Sequence, residues 1–276
     1  MSRERIEARF AALKAEGRSA FVAYVMAGDP DPATSREIVK GLPAAGADLI
    51  ELGFPFSDPV AEGPPIQKAA QRALAAGMTL RGVFELAADF RRGDQDTPLI
   101  LMGYLNLIVS MGFSAFARAA AEAGIDGVIV VDCPPEEADP LADALDAAGL
   151  ALIFLATPTT DDKRLPVVVN RASGFIYYVS VAGVTGVKEA DESAVAPNVA
   201  RIQAASGLPV AVGFGIRTPE RAAAIARIAD AAVVGSALVD EVAEGLAMNE
   251  SVTTRVLSKA ETLSKAVRFA RVGAAV

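Results

Sequence analysis

Short apolar runs recur along the chain, and each is followed by a segment whose apolar residues have helical spacing. The runs are rich in β-branched residues, as in Gly-Val-Ile-Val-Val over 127–131, which is typical of parallel strands covered on both faces. The pattern predicts strands over 20–26, 47–52, 98–103, 126–131, 150–156, 174–179, 208–213 and 230–235.

The segments between these runs predict helices. They lie over 33–45, 66–75, 79–91, 113–123, 136–147, 161–171, 193–204, 218–227 and 236–246, with two more over 3–15 and about 251–269. Eight strand and helix pairs in 276 residues favour a closed α/β barrel, the (β/α)₈ TIM barrel, over an open doubly wound sheet. We expect an extra N-terminal helix and further extra helices around it, in a single domain over 1–276, because no Ser/Gly-rich linker divides the chain.

Composition narrows the classes of function. A formal net charge of −8 and a pI near 4.8 weigh against a nucleic acid or an anionic membrane as partner. The charged start and the lack of a long apolar stretch favour a cytoplasmic protein. One cysteine and no histidine exclude a multi-cysteine metal cluster and every Ser-His or Cys-His nucleophile, so we expect no metal. Proton transfer must then fall to carboxylates, tyrosine or lysine.

A carboxylate stands inside the second apolar run, at Glu51. Burying an ionised carboxylate without a partner costs several kcal/mol or raises its pKa, which suggests a function. Period-two alternation places Leu49 and Glu51 on one side of the strand and Ile50 and Leu52 on the other, so Glu51 can point into the barrel mouth. The alternative is a structural carboxylate paired with a buried arginine or lysine.

The loop after this strand, over 53–65, carries four prolines and two glycines and contains the acidic residues Asp58 and Glu62. Prolines and glycines shape turns, and such loops often serve as lids or contact surfaces. Each of the two carboxylates could equally be a solvated or capping residue.

Glycines end three late strands, in Gly183-Val-Thr-Gly186, Gly213-Phe-Gly215-Ile and Gly235-Ser236. Glycine lets backbone N–H groups approach an anion, and the last strands of a TIM barrel commonly bind phosphate. Other side chains that could face the mouth are equally consistent with core or turn positions: Tyr24, Tyr104, Asn106, Asp132 and Tyr177.

Taken together, the segment from Glu51 to Pro64, the early Ala27-Gly-Asp-Pro30 and the three glycine motifs resemble the α subunit of tryptophan synthase. The match runs in order from about residue 18 to 240. The resemblance implies retro-aldol cleavage of indole-3-glycerol phosphate to indole and glyceraldehyde 3-phosphate, with no metal or organic cofactor in this chain.

The resemblance also implies roles for individual residues. Glu51 matches the general acid–base residue that protonates indole C3, and Glu62 matches the loop carboxylate that pairs with the indole N–H. Thr185 matches a loop threonine that organises the closed site, and Tyr177 a tyrosine near the catalytic glutamate. The remaining matches are to the indole pocket (Tyr24, Met102, Tyr104 and Ile129) and to the phosphate site (Gly186, Gly215, Gly235 and Ser236).

A β-subunit partner that uses pyridoxal phosphate is implied as well, in an αββα complex in which indole passes between subunits. Asp58 and Asn106 match its contact surface. The chain departs from the family pattern with glutamate instead of the commoner aspartate at position 62, which adds about 1.3 Å of reach. It also has Leu105-Asn106-Leu107 for Tyr-Asn-Pro, and Val181-Ala182 where some members have Arg-Ser.

Two alternative functions remain open. One is another phosphosugar barrel of aromatic biosynthesis, such as an isomerase or indole-glycerol-phosphate synthase, which would require a lysine or cysteine acid–base pair. Cys133 and Lys188 are the candidates for it. The other is an allosteric scaffold for a β subunit with residual lyase activity.

Overall fold

The computed structural model describes residues 2–180, 192–213 and 215–271. Within these residues, every strand pairs in parallel with its neighbours in one sheet. The strands are β1 (Ala20–Met26), β2 (Leu49–Gly53), β3 (Leu99–Gly103), β4 (Gly127–Val130), β5 (Ala151–Ile153), β6 (Leu155–Ala156), β7 (Ile176–Val179), β8 (Val210–Gly213) and β9 (Ala231–Val234).

The sheet closes into a barrel. In space the strands follow the order β5, β4, β3, β2, β1, β9, β8, β7, β6. Only Phe154 separates β5 from β6, so these two segments are one barrel strand that pairs with β4 on one side and with β7 on the other. The strands therefore occupy eight positions, which confirms the predicted (β/α)₈ barrel.

Helices surround the barrel on the outside. They are α1 (Ser2–Ala15), α2 (Pro32–Gly41), α3 (Pro64–Ala75), α4 (Leu80–Arg91), α5 (Leu105–Met111), α6 (Phe113–Glu122), α7 (Asp139–Ala147), α8 (Leu165–Val169), α9 (Glu192–Ser206), α10 (Pro219–Ile228), α11 (Ser236–Met248) and α12 (Val252–Arg268). The predicted extra helices at both ends of the chain are confirmed as α1 and α12. No helix in the described part of the chain is long and apolar enough to cross a membrane.

One helix was not predicted, and three helix predictions are wrong in extent, among them the one over 33–45, which ends at Gly41 as α2. The sequence did not predict α5, whose first backbone N–H, at Leu105, donates to Asp132 Oδ1 at 2.7 Å. The helix predicted over 161–171 is confined to α8, because the Asp161 carboxylate accepts from the backbone N–H groups of Lys163 and Arg164 in a preceding turn. The helix predicted over 136–147 begins with a separate 3₁₀ turn, Pro135–Glu137.

The core has an inner part, enclosed by the strands, and an outer part between strands and helices. Leu49 belongs to the inner part, and Ile50 and Leu52 to the outer part, so the predicted alternation along β2 is confirmed. Glu51 therefore shares the inner side with Leu49. Apolar residues of α1, among them Phe10 and Leu13, join the inner part and cover the amino end of the barrel. The carboxyl ends of the strands remain for a site.

Candidate active site

Glu51 lies in the middle of β2 and is completely buried. Neither of its carboxylate oxygens has a hydrogen-bond partner among the described residues. Burial, and to a lesser degree the negative charge of Glu62, raises the pKa of Glu51 from 4.5 to about 8. The side chain is thus a carboxylic acid near neutral pH, and its proton is not hydrogen-bonded to any described residue.

Glu62 is placed near Glu51 by the loop between β2 and α3. Its backbone is held on both sides, since Glu62 N donates to the Pro59 carbonyl at 3.1 Å and Gln67 Nε2 donates to the Glu62 carbonyl at 2.8 Å. The side chain is 7% exposed, and burial raises its pKa from 4.5 to about 7. The site therefore contains two carboxyl groups of raised pKa, and the charge of Glu62 adds to the shift of Glu51.

The helix that follows this loop is tied to the barrel by an ion pair. Arg72 in α3 donates to both carboxylate oxygens of the buried Asp29, from Nε at 2.6 Å and from Nη2 at 2.8 Å. Asp29 follows β1 in the chain. This two-point contact fixes α3, and with it the end of the loop that carries Glu62.

Two buried tyrosines complete the interior of the site. Tyr24 is the β1 partner of Glu51 in the strand register, and Tyr177 lies in β7. Burial, together with the charges of both glutamates, raises the pKa of each phenol well above its usual value. Both hydroxyls therefore keep their protons and can act only as neutral hydrogen-bonding groups.

Glycines at strand ends give these rings their space. A Cβ on Gly53 would lie 2.4 Å from the Tyr24 hydroxyl oxygen, and a Cβ on Gly213 would lie 2.0 Å from that of Tyr177. Any larger residue at either position would displace a tyrosine. The glycines of the sequence motifs thus shape the pocket as well as the turns.

Tyr104 contacts the loop that carries Glu62. Its hydroxyl accepts from the backbone N–H of Ala61 at 3.0 Å, and its ring stacks on Phe56 with centroids 5.1 Å apart. Burial raises the pKa of Tyr104 to about 12. Tyr104 therefore positions the residue next to Glu62.

Gly215, Gly235 and the start of α11 form another part of the site. Gly215 has a φ of 75°, a conformation that favours glycine. Gly235 precedes α11, and no side chain caps the first turn of this 13-residue helix. Its first N–H groups, at Ser236 and beyond, thus lack a side-chain partner and suit an anion.

One cavity is lined both by the two glutamates and by Gly215, Gly235 and the start of α11. It has about 550 Å³ of empty space when its open mouth is included. Four of its lining residues were not singled out by the sequence: Ile66, Ile216, Arg217 and Val233. The others are predicted site residues that the fold brings together: Tyr24, Glu51, Glu62, Met102, Tyr177, Gly215, Gly235 and Ser236.

The remaining predicted residues lie elsewhere. Ile129 is buried in the inner core beneath the cavity. Asp58 and Asn106 are exposed, the former in the loop and the latter on α5. Thr185 and Gly186 lie outside the described residues, as does Lys188. Cys133 is buried and does not line the cavity, and burial raises the pKa of its thiol.

The cavity is suited to acid–base chemistry on a ligand with an anionic end. A neutral carboxylic acid and a second carboxyl group lie at its inner end, with apolar walls between them and a glycine-lined helix start. An uncharged aromatic group fits the walls, and a phosphate fits the amide N–H groups. This is the pairing that the family resemblance implies.

Known proteins are similar to this chain over nearly its whole length. The family model for the tryptophan synthase alpha chain matches residues 10–268. The tryptophan synthase alpha chain of Phenylobacterium zucineum is 73% identical over 271 residues, covering 98% of each chain. That of Caulobacter vibrioides is 70% identical over 273 residues, covering 99% of each chain.

Solved structures share the fold. Tryptophan synthase subunit alpha from Legionella pneumophila superposes with a TM-score of 0.89 at 40% identity, covering 95% of this chain and 98% of that one. A chain of Mycobacterium tuberculosis tryptophan synthase gives a TM-score of 0.87 at 34% identity, covering 96% and 98%. Since the family model and close relatives span the chain, the protein belongs to the tryptophan synthase alpha chain family.

Proposed function

We propose that Glu51 and Glu62 carry out the lyase reaction of this family on indole-3-glycerol phosphate, with indole and glyceraldehyde 3-phosphate as products. The observation that carries this proposal is the buried, unpartnered carboxyl group of Glu51 on the wall of the cavity. A protein has no structural use for such a group, since burial without a partner is costly.

In the proposed reaction, Glu51 acts first as an acid. Its pKa of about 8 keeps it protonated near neutral pH, so it can donate a proton to indole C3. The bond from C3 to the glycerol chain then breaks, and its electron pair enters the ring. The hydroxyl on the departing carbon loses its proton to the Glu51 carboxylate and becomes the aldehyde, so Glu51 ends in its starting state.

Glu62 acts as an electrostatic partner for the ring nitrogen. Protonation at C3 places positive charge on the indole nitrogen, and a nearby carboxylate stabilises that charge in a site of low dielectric constant. The pKa of Glu62, about 7, allows it to be ionised when that charge develops.

The phosphate of the substrate occupies the other side of the cavity in this proposal. The N–H groups at Gly215, Gly235 and Ser236 would bind it, and Gly186 with Thr185 would join them from outside the described residues. Tyr24, Met102 and Tyr177 would hold the indole ring, with Tyr104 and Ile129 behind them. Anchoring the phosphate places the bond to be cleaved beside Glu51.

Membership of this family implies a β-subunit partner. We propose an αββα complex in which pyridoxal phosphate belongs to the β subunit. Asp58 and Asn106 would contact the partner, and the exposed Val60 and Val109 nearby would be covered by it, being 78% and 54% exposed.

One assay tests the lyase proposal and separates it from its alternatives. The purified chain is incubated with indole-3-glycerol phosphate, with and without a β subunit, and indole is measured. We expect indole from the chain alone and a higher rate with the partner. Indole only with the partner would indicate a partner-dependent lyase, and no indole in either case would contradict the proposal.

A further inference from the structure

Arg217 lines the cavity beside the proposed phosphate site. It follows β8 by four residues and stands two residues after Gly215, in the turn that leads into α10. Its side chain is 42% exposed, and Nη1 donates to Asp240 Oδ2 at 2.6 Å. The guanidinium is thus at the mouth of the cavity and held by a partner.

The charge of Arg217 distinguishes it from the rest of the cavity. Among the described residues that line the cavity, it is the single cation, whereas Glu51 and Glu62 are the acids. Amide N–H groups supply only partial positive charge to an anion. A phosphate that enters this chain of net charge −8 therefore finds, among the described lining residues, its one full positive charge at Arg217.

The ion pair orients the guanidinium without using all of its donors. Asp240 lies in α11, the helix whose start forms the glycine-lined side of the cavity. Arg217 is therefore tied to the same element that would hold the phosphate. A guanidinium has five N–H donors in a rigid plane, and the described contacts of Arg217 involve Nη1 alone.

We propose that Arg217 binds the phosphate of the substrate through Nε and Nη2 while Nη1 remains on Asp240. This inference rests on the proposed function, which supplies the phosphorylated ligand. In this proposal Arg217 contacts the phosphate and not the reacting ring, so its contact is equal in the ground state and the transition state. Such a contact changes KM and leaves kcat as it is.

The test compares Arg217→Gln with Arg227→Gln, which removes the same charge from the far end of α10, where Arg227 is exposed. Indole formation is measured over a range of indole-3-glycerol phosphate concentrations. We expect Arg217→Gln to raise KM about tenfold with kcat unchanged, because it removes one pair of charge-assisted hydrogen bonds to the phosphate. Arg227→Gln should leave both constants unchanged.

Asp240→Asn separates phosphate binding from the ion pair as such. It breaks the pair but retains the guanidinium, so KM should stay well below that of Arg217→Gln. An equal rise in KM for Asp240→Asn and Arg217→Gln would overturn the proposal, because the pair rather than a phosphate contact would then matter. An unchanged KM in Arg217→Gln, or a fall in kcat alone, would overturn it as well.

A binding measurement distinguishes failure of this inference from failure of the proposed function. Glycerol 3-phosphate is titrated into the wild type and Arg217→Gln by calorimetry, with no turnover required. Weaker binding in the variant alone supports the role of Arg217 even if no indole forms. Equal binding in both proteins, with indole formed by the wild type, would reject Arg217 and leave the lyase proposal intact.

Discussion

Glu51 and Asp126 are both completely buried carboxylates of the barrel, but only one of them is paired. Asp126 immediately precedes β4 at the amino end. It accepts from Arg91 Nη2 at 2.5 Å, from Leu99 N at 2.8 Å and from Arg5 Nη1. Glu51 lies in the middle of β2, lines the cavity and has no hydrogen-bond partner among the described residues.

The same burial has different consequences at the two sites. It raises the pKa of both groups, but the Arg91 charge lowers that of Asp126, which reaches only about 6, while Glu51 reaches about 8. Asp126 is therefore ionised at neutral pH and joins α1 and α4 to the strands, whereas Glu51 keeps an available proton. In a TIM barrel the amino end serves stability and the carboxyl end serves catalysis.

The largest expected effect is on catalysis, from Glu51→Gln. The amide keeps the shape of the side chain but can neither donate nor accept the transferred proton, so kcat should fall about 10³-fold. Indole formation measures the loss, and glycerol 3-phosphate binding should be retained. Turnover near that of the wild type would remove Glu51 from the reaction.

The matching change at the other site, Asp126→Asn, should affect stability instead. Loss of the carboxylate leaves the Arg91 guanidinium buried without its counter-charge, which costs about 3 kcal/mol of the free energy of unfolding. We expect the low end of the usual range because Arg91 also donates to the carbonyls of Gly124 and Thr97, both at 2.7 Å. Urea denaturation measures the loss; an unchanged midpoint, or a large fall in kcat, would erase the contrast between the two carboxylates.

Glu62→Ala should lower kcat about 10²-fold, since it removes one electrostatic partner of the transition state but not the proton donor. Glu62→Asp should retain a substantial part of the activity, because the charge persists with a shorter reach. Rates of indole formation are measured for the wild type, Glu62→Asp and Glu62→Ala, and we expect them to fall in that order. Equal rates in all three would show that Glu62 has no catalytic role.

The smallest effect, taken over one pH unit, is a dependence of stability on pH. Glu51 holds its proton up to about pH 8 in the folded chain, while the unfolded chain releases it near its ordinary pKa of 4.5. The unfolded state thus binds fewer protons between these values, and stability falls as pH rises. Relative to Glu51→Gln, the wild type should lose up to about 1.4 kcal/mol per pH unit in that window. Urea midpoints at several pH values test this; parallel curves for the two proteins would contradict it.

Much of the barrel could be predicted because its strands are short apolar runs. The prediction is weakest where apolar residues do not distinguish a strand from a helix. The run from Leu105 to Met111 is mostly apolar and contains the β-branched Ile108 and Val109, yet it forms α5, since a distant carboxylate, Asp132, accepts from its first N–H. Likewise, nothing in Leu-Ile-Phe-Leu-Ala over 152–156 reveals that the fifth barrel strand is interrupted at Phe154.

The site was predictable where a residue type conflicts with its surroundings, as for Glu51 in an apolar strand. The sequence left open whether that carboxylate is paired, because pairing depends on residues far apart in the chain. Asp126, whose partners are Arg5 and Arg91, shows how distant such residues can be. A signal for Arg217 existed, since it stands two residues after Gly215 of the predicted phosphate motif, whereas Ile66 and Val233 resemble any other core residue.

Titration of the Glu51 carboxyl group tests the central contrast most directly. In protein labelled with ¹³C at the glutamate carboxyl carbons, the signal absent from Glu51→Gln identifies Glu51 in the NMR spectrum. We expect that signal to move from the protonated to the ionised position with a midpoint near pH 8. A Glu51 carboxyl group already ionised at about pH 5 would show a hidden partner and contradict its role as the acid.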